Sequence, residues 1–261
     1  MGQYRTNPAE EPERRVKAVG TAFSIIEALK DANGRTLSEL AAELDLAKST
    51  VHRYLQTLLH QEYIVKEGSE YHLSLRFLEL GDQASSRKQG YSLAREKVEE
   101  LAEETDERAQ FIVEEHGQAV YVHRKAGRHA VKTDPGIGKR IGLHTIAAGK
   151  AIIAKWPDET IEEFVNAREL ERETPQTVSD FEALMSEVRE IRERGYSVNK
   201  QENIVGLRAV GAAVCDQHDR PIGAFSVSGP TNRMKGEWFG QELPDLLLGL
   251  TNEVELNLRY S

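Results

Sequence analysis

The stretch that leaves this chain the fewest choices is TLSELAAELDLAKSTVHRYLQTLL, Thr36 to Leu59. Leu37, Leu40, Ala41 and Leu44 recur at i, i+3, i+4 and i+7, the spacing of one helical face. Thr36 followed three residues later by Glu39 fits a capping box, in which hydroxyl and carboxylate each satisfy an amide at the helix start. A second helix follows, with Val51, Tyr54, Leu55, Leu58 and Leu59 as its buried stripe. Ser49, Thr50, His52, Arg53, Gln56 and His60 then face outward. Two short helices in close succession, the second polar on its outer side, predict a helix-turn-helix whose recognition helix runs from Lys48 to Leu59. Side chains of this kind read base edges in a major groove, so Lys48, Ser49, Thr50, His52, Arg53 and Gln56 are the candidate DNA contacts.

At 261 residues the chain is long for one domain and comfortable for two. No run of about eighteen apolar residues predicts a membrane span. The opening MGQYRTNPAEEPERR has no apolar core of a secretory signal. A single cysteine, Cys215, leaves no intramolecular disulfide and fits a reducing cytoplasm. The formal net charge of -9 is unusual for a DNA binder, so its distribution matters. From Arg14 to Leu80 nine basic side chains balance nine acidic ones, and the excess acid lies before and after that stretch. A neutral module weakens the sequence-independent attraction to phosphates, which scales with the number neutralised. A high-salt cytoplasm is one setting in which an acidic surface of this kind is ordinary.

Residues 1–15 read as a disordered tail, with two prolines and several acids, and Arg14, Arg15 and Lys17 stand either as an arm for DNA or as a solvated helix start. Val19, Ala22, Phe23, Ile26 and Leu29 predict an amphipathic scaffold helix ended by Asn33-Gly34. After Leu59, Tyr63–Lys66 and Tyr71–Leu75 predict a hairpin around Glu67-Gly68-Ser69-Glu70, which makes the module a winged helix spanning 16–80. Its tip is acidic, so Lys66, His72 and Arg76 are the better candidates for phosphate contacts. Residues 81–104 predict a linker helix, with Leu93, Val98 and Leu101 available for burial. From 105 to 261 strands and helices alternate. Gln110–Glu115 and Ala119–Arg124 predict a hairpin, Ala130–Thr133 a third strand, and a glycine-rich loop opens into a helix at about Ala147. Ser179 with Glu182 suggests a second capping box before a helix that Gly195 ends. Tyr196–Asn199, Ala209–Cys215 and Ile222–Ser228 predict further strands, and Leu243, Leu246, Leu250 and Val254 a last helix. The fold class is α+β, with a mainly antiparallel sheet and helices on its faces.

Three segments of this second domain are candidates to line one cavity. A helix start near Ala147 and Ala148 offers free amides to an anion. Asn199 to Val214 supplies polar groups, then a glycine and a strand. Ser226 and Ser228 alternate with apolar residues and so share one strand face, where buried hydroxyls need partners. Plain turn chemistry and backbone-bonded serines remain the alternative reading. His144 is a structural histidine or a group that orients the loop, and Lys150 an end-of-site or surface cation. Enzyme chemistry finds little support: there is no GxSxG elbow, HExxH, Walker loop or GxGxxG fingerprint. Cys215 shows no neighbouring base, and His116, His123, His129 and His144 lack the close spacing of metal ligands. No cofactor or metal is expected.

In TLSELAAELDLAKSTVHRYLQTL, GLHTIAAGKA, RERGYSVNKQENIVGLRAVGAAV and FSVSGP, in this order and spacing, the chain resembles the IclR-type transcriptional regulators from Val16 to its end. The resemblance implies an N-terminal winged helix-turn-helix, a linker helix and a GAF-like effector domain. It also implies a homodimer or a dimer of dimers, double-stranded operator DNA as partner, and a small-molecule effector, an organic acid or sugar-derived metabolite. Carried across by motif, the pocket positions are Thr133, Ile141, Ala147, Ala148, Asn199, Leu207, Ala209, Ser226 and Ser228. The chain departs from the pattern at Asn199, where relatives often have an acid, at Ala209, where cysteine is common, and at Gly142, where proline is common. The expected function is therefore effector-controlled transcription regulation without catalysis, and a small-molecule-processing enzyme with an incidental winged helix is the alternative.

Overall fold

The computed structural model describes residues 16–131 and 136–260, and these divide into two compact units between Arg87 and Lys88. The tail 1–15 and the candidate Thr133 lie outside the described residues.

The first unit runs α1 (Lys17–Lys30), β1 (Arg35–Thr36), α2 (Leu37–Glu43), α3 (Lys48–His60), β2 (Ile64–Glu67), β3 (Glu70–Leu73) and α4 (Arg76–Ser86). The capping box forms as expected: Glu39 N donates to Thr36 Oγ1 at 3.3 Å, and Thr36 N donates to Glu39 Oε2 at 2.7 Å. Asp45, at φ 52°, makes the turn between α2 and α3, a conformation that Asp tolerates because its short side chain bonds locally. The wing closes through Gly68 at φ 61°, with Glu67 paired to Glu70 across the two-residue loop. Beside it β1, a strand not foreseen, pairs with β3 to give the order β1-β3-β2. Ile25, Leu29, Leu40, Val51, Leu55, Leu58, Ile64 and Tyr71 form the core.

The stripe expected on α1 holds at Leu29 and in part at Ile26, and fails at Val19 and Phe23. The helix buries Ile25, Ala28 and Leu29, while Val19 and Phe23 are 54% and 60% exposed. Apolar residues surround most of this helix, and periodicity cannot choose among overlapping stripes when several qualify. The stretch expected as one linker helix is two, α4 and α5 (Gln89–Thr105), interrupted at Arg87–Lys88. Lys88 is extended, at φ -120° and ψ 137°, which ends helical geometry there. α4 buries no residue at all, and α5 buries Tyr91, Ala94, Val98, Leu101 and Ala102.

After α5 the second unit continues with β4 (Arg108–Glu115), β5 (Gln118–Ala126), β6 (Arg140–Gly142), a 3-10 turn (Leu143–Thr145), α6 (Ala147–Ala154), α7 (Asp158–Asn166) and α8 (Phe181–Arg194). It ends with β7 (Ser197–Lys200), β8 (Leu207–Cys215), β9 (Pro221–Pro230), a π turn (Trp238–Glu242) and α9 (Leu243–Tyr260). The six strands form one antiparallel sheet, in the order β6-β5-β4-β9-β8-β7. Ala130 and Val131 are not in a strand; the third partner of the β4–β5 hairpin is β6, whose Gly142 pairs with Gln118. The α8 cap also differs from expectation. Asp180, not Ser179, accepts from Ala183 N at 2.9 Å, and Ser179 instead accepts from Arg172 at 2.7 Å. Asp and Ser are about equally good N-caps, so sequence alone did not separate two adjacent candidates.

Alternation along the strands builds two cores. Phe111, Val113, Val210, Val227 and Phe225 face α5 and α9, and Ile112, Tyr121 and Ala224 face α6 and α8. α6 touches the sheet backbone to backbone: a Cβ added at Gly211 would lie 2.7 Å from Ala147 C and Ala148 N. Lys150, expected at a site edge or surface, is entirely buried. Its ammonium bonds Glu187 at 2.6 Å and, closer still, the buried Glu202 carboxylate. Replacing Lys150 by Met strands the Glu202 charge and should cost about 3–5 kcal/mol in urea unfolding, the usual penalty for removing one partner of a buried pair. The double variant Lys150→Met, Glu202→Gln should recover most of that loss; a single variant with the parent's midpoint would mean the pair contributes nothing.

Candidate functional site

In the first unit the outer side of α3 carries Lys48, Ser49, His52, Arg53 and Gln56 exposed, with Thr50 half-buried. No acidic residue stands in α3. Val51, Leu55 and Leu58 anchor its inner side, and Tyr54 and Leu59, expected with them, are only partly covered. In the wing the three cations expected against phosphates differ. Arg76 donates to Gln61 O at 2.7 Å and stacks 4.8 Å from the Tyr63 ring centre, so it holds the wing's base. His72 packs where a side chain at Gly34 would otherwise stand. Lys66 remains exposed at the wing's edge, 5.4 Å from the Tyr71 ring centre.

The second unit holds a cavity between the sheet and the start of α6. It is lined by Arg108, Gln110, Tyr121, Ile146, Ala147, Asn199, Leu207, Ala209, Ser226 and Ser228 among others, and is small, with a volume of about 60 Å³. The strand register explains why these residues meet. Asn199, Ala209, Ser228 and Arg108 form one cross-strand row, and Ser197, Gly211, Ser226 and Gln110 form the next. Members of a row project from one sheet face.

Six of the expected pocket residues therefore line this cavity: Ala147, Asn199, Leu207, Ala209, Ser226 and Ser228. Ile141 and Ala148 do not; both pack into the hydrophobic core around α6. Sequence reasoning missed Arg108, Gln110 and Tyr121. Gln110 and Tyr121 sit in segments read only as strands, and Arg108 lies just before the expected strand start, so no local pattern marked them. Their inward direction follows from pairing with β9 and from a register shift between Phe111 and Ile112.

Polar groups in the cavity are unequally engaged. Asn199 Nδ2 donates to Thr145 O at 2.6 Å and its Oδ1 accepts from Glu202 N at 3.2 Å, so its amide clamps the loop that follows β7. Glu202 then accepts from Lys200 N at 3.0 Å, which ties the same loop to buried Lys150. Gln110 Nε2 donates to Ser228 Oγ at 3.1 Å. Arg108 donates to Val131 O, and the Arg208 guanidinium turns to Met234 O at 3.1 Å and to the Phe239 ring. By contrast, Ser226 is 3% exposed and Tyr121 4%, and neither hydroxyl has a hydrogen-bond partner among the described residues. Burial pushes the Tyr121 phenol up to about 12, against the opposing pull of Arg108 and Arg124, so it keeps its proton. α6 begins without a cap, because Ile146 has no side-chain acceptor. The first amide of this turn used inside the protein is that of Lys150, donated to Ile146 O at 3.0 Å. The Ala147, Ala148 and Gly149 amides have no acceptor among the described residues.

Residues 18–68 match the IclR helix-turn-helix domain, and residues 84–253 match the bacterial transcriptional regulator IclR C-terminal domain. The chain belongs to the IclR family. It is 32% identical over 249 residues to a probable HTH-type transcriptional regulator ArcR of Halobacterium salinarum, covering 94% of this chain and 95% of that protein. It is 30% identical over 248 residues to the HTH-type transcriptional regulator KdgR of Escherichia coli, covering 94% of each. Its fold matches the Thermotoga maritima IclR crystal structure with a TM-score of 0.80 at 24% identity, over 94% of this chain and 100% of that one. It also matches an IclR homolog from Microbacterium hydrocarbonoxydans, solved with 4-hydroxybenzoate, with a TM-score of 0.82 at 20% identity, over 94% and 100%. This IclR-family protein is thus a DNA-binding transcriptional regulator, as its sequence implied, and not an enzyme.

The remaining enzyme-like feature behaves as packing. Cys215 is buried, and desolvation pushes its thiol up to about 12, the reverse of an activated nucleophile. His144 Nε2 meets Glu171 O at 3.0 Å, and burial lowers its pKa, so it is neutral and structural. The folded protein should resist iodoacetamide at pH 8 over hours, with full alkylation only after urea is added; rapid modification of native protein, read by intact mass, would contradict the buried thiol.

Proposed function

We propose that this regulator is switched by a small organic acid held in the cavity beneath α6, and that α3 reads the operator. The observation that carries the effector reading is the Ser226 hydroxyl, which lines the cavity with no hydrogen-bond partner among the described residues, beside the uncapped α6 start at Ala147. A helix start of this kind favours a carboxylate through its amides and its partial positive charge. Ser226 can donate to the same anion, and Ser228, already accepting from Gln110, keeps its own proton to give. The Microbacterium hydrocarbonoxydans homolog holds an acid, 4-hydroxybenzoate, which supports the same ligand class. Asn199 contributes as the loop's clamp. A sugar-derived acid belongs to this class too.

The DNA reading assigns base contacts to Ser49, Thr50, His52 and Arg53, with Lys48 and Gln56 at the margins. With nine cations balancing nine acids across Arg14–Leu80, phosphate attraction is weak and discrimination falls on α3. The working unit is a homodimer, alone or paired into a tetramer, acting in the cytoplasm. α4 buries none of its residues, and Leu78 and Leu80 are exposed on it, as is Leu75 just before it. Val19 and Phe23 are likewise bare on α1. A second copy of the chain is the occupant that symmetric operator recognition requires, and it would cover these faces. The acid then favours one spacing of the paired recognition helices over the other, and only one spacing fits the operator.

Arg53→Ala should lose roughly 1–3 kcal/mol of specific binding and relax preference at one operator position. Mobility shifts over single-base operator variants measure this, and an unchanged ranking would remove Arg53 from base readout. Ser226→Ala with Ser228→Ala should keep operator affinity and lose response to whichever small acid most raises the parent's melting temperature. Normal release of that double variant from DNA by the same acid would move the effector elsewhere.

A further inference from the structure

The recognition helix and α4 are joined by more than the chain between them. α3 closes at Gln61, and Glu62, at φ 61°, turns the backbone out of the helix. Ser74, just ahead of α4, grips this turn: its hydroxyl donates to Glu62 O at 2.6 Å and its amide to Tyr63 O at 3.0 Å. The same hydroxyl accepts from Arg76 N at 3.2 Å, at the first residue of α4. From there the Arg76 side chain reaches back, donating to Gln61 O at 2.7 Å and lying over the Tyr63 ring. Phe77 packs on that ring with 5.5 Å between ring centres. Beyond this first turn, every residue of α4 from Leu78 to Ala84 is exposed. The direction of α4 relative to α3 is therefore set at one joint, residues 61–63 against residues 74–77.

We propose that Arg76 and Tyr63 are positioning residues for operator recognition, which lock the axis of α4 to the end of α3. This rests on the homodimer reading above, in which two recognition helices must stand at one spacing. α4 ends at Ser86 and the second unit begins at Lys88, so chain connectivity sends any movement of that unit into α4 first. A loose joint would absorb such a movement. A joint of directional bonds passes it to α3 as a turn of the whole helix. The guanidinium suits this task, because its planar fork stacks on a ring face and donates from its edge at once, which an ammonium does not. Its charge also lies at the C-terminal end of α3, where a helix carries partial negative charge. Neither residue needs to touch DNA; both decide where the reading side chains stand.

The test uses the full-length protein and an operator selected from random-sequence DNA, with affinity read by fluorescence anisotropy. One base pair inserted or removed between the half-sites shifts them by about 3.4 Å and turns them by about 35°. The parent protein should lose at least about tenfold in affinity on either change, the scale of a lost base contact. Arg76→Ala and Tyr63→Leu should flatten that spacing penalty to about twofold or less, while the ranking of single-base variants within a half-site stays the parent's. Tyr63→Phe, which keeps the ring, should retain the full penalty. Arg76→Lys should flatten it as Ala does, whereas the role of a simple phosphate contact would survive in the lysine's charge. Should Arg76→Ala unfold, Arg76→Lys and Tyr63→Leu give the same readout. An Arg76→Ala variant that keeps the spacing penalty, or that weakens all operators alike with a shallower salt dependence, would overturn the joint and leave the homodimer reading standing. A parent protein that binds one half-site as tightly as the whole operator would remove both.

Discussion

The approach of α6 to β8 at Gly211 is the contact on which the rest of the second unit depends. Only glycine admits the helix backbone there, because any Cβ would overlap Ala147 and Ala148. The contact buries a helix start that its own sequence leaves uncapped. Buried backbone amides without acceptors are costly, which is why the effector proposed above is placed at this helix start. Ser197 reinforces the position from below, its hydroxyl donating to Ala147 O at 2.5 Å.

Holding the helix start open requires that the loop beside it be fixed, and that is the task of the buried ammonium of Lys150. It draws Glu202 inward, and the Glu202 backbone is bonded in turn by Asn199, Thr174 and Thr177. A loop carrying cavity residues Asn203 and Ile204 is thereby tied to α6 and to the segment before α8. The loop beside the cavity is thus held by a charged network, which sets its geometry by bond direction as well as by contact. Asn199 takes part in that network through Glu202 N and Thr145 O, so its side chain bears first on the loop's position.

Much of this was legible in the chain. The Thr36–Glu39 box, the two helical faces after it, the winged hairpin and the serine alternation of FSVSGP each follow from local periodicity and capping chemistry, and each is present in the fold. The errors have physical causes as well. On α1 several apolar stripes overlap, and only packing chose Ile25 and Ala28 over Val19 and Phe23. At α8 Asp180 and Ser179 were chemically near-equivalent caps one residue apart. Lys150 looked like a surface cation because its carboxylate partners lie 37 and 52 residues away.

What the sequence by itself determined is therefore what acts within a few residues: the recognition helix with its acid-free outer face, the turn chemistry, and the strands whose alternate residues differ in polarity. It also carried enough long motifs to identify the family. Which polar groups share a cavity was decided only by tertiary structure. Gln110 meets Ser228 across 118 residues of chain, and Tyr121 joins them through a register shift that no local pattern announces. Side-chain direction in a strand is local, but its neighbours are set by pairing, and pairing is a property of the whole sheet.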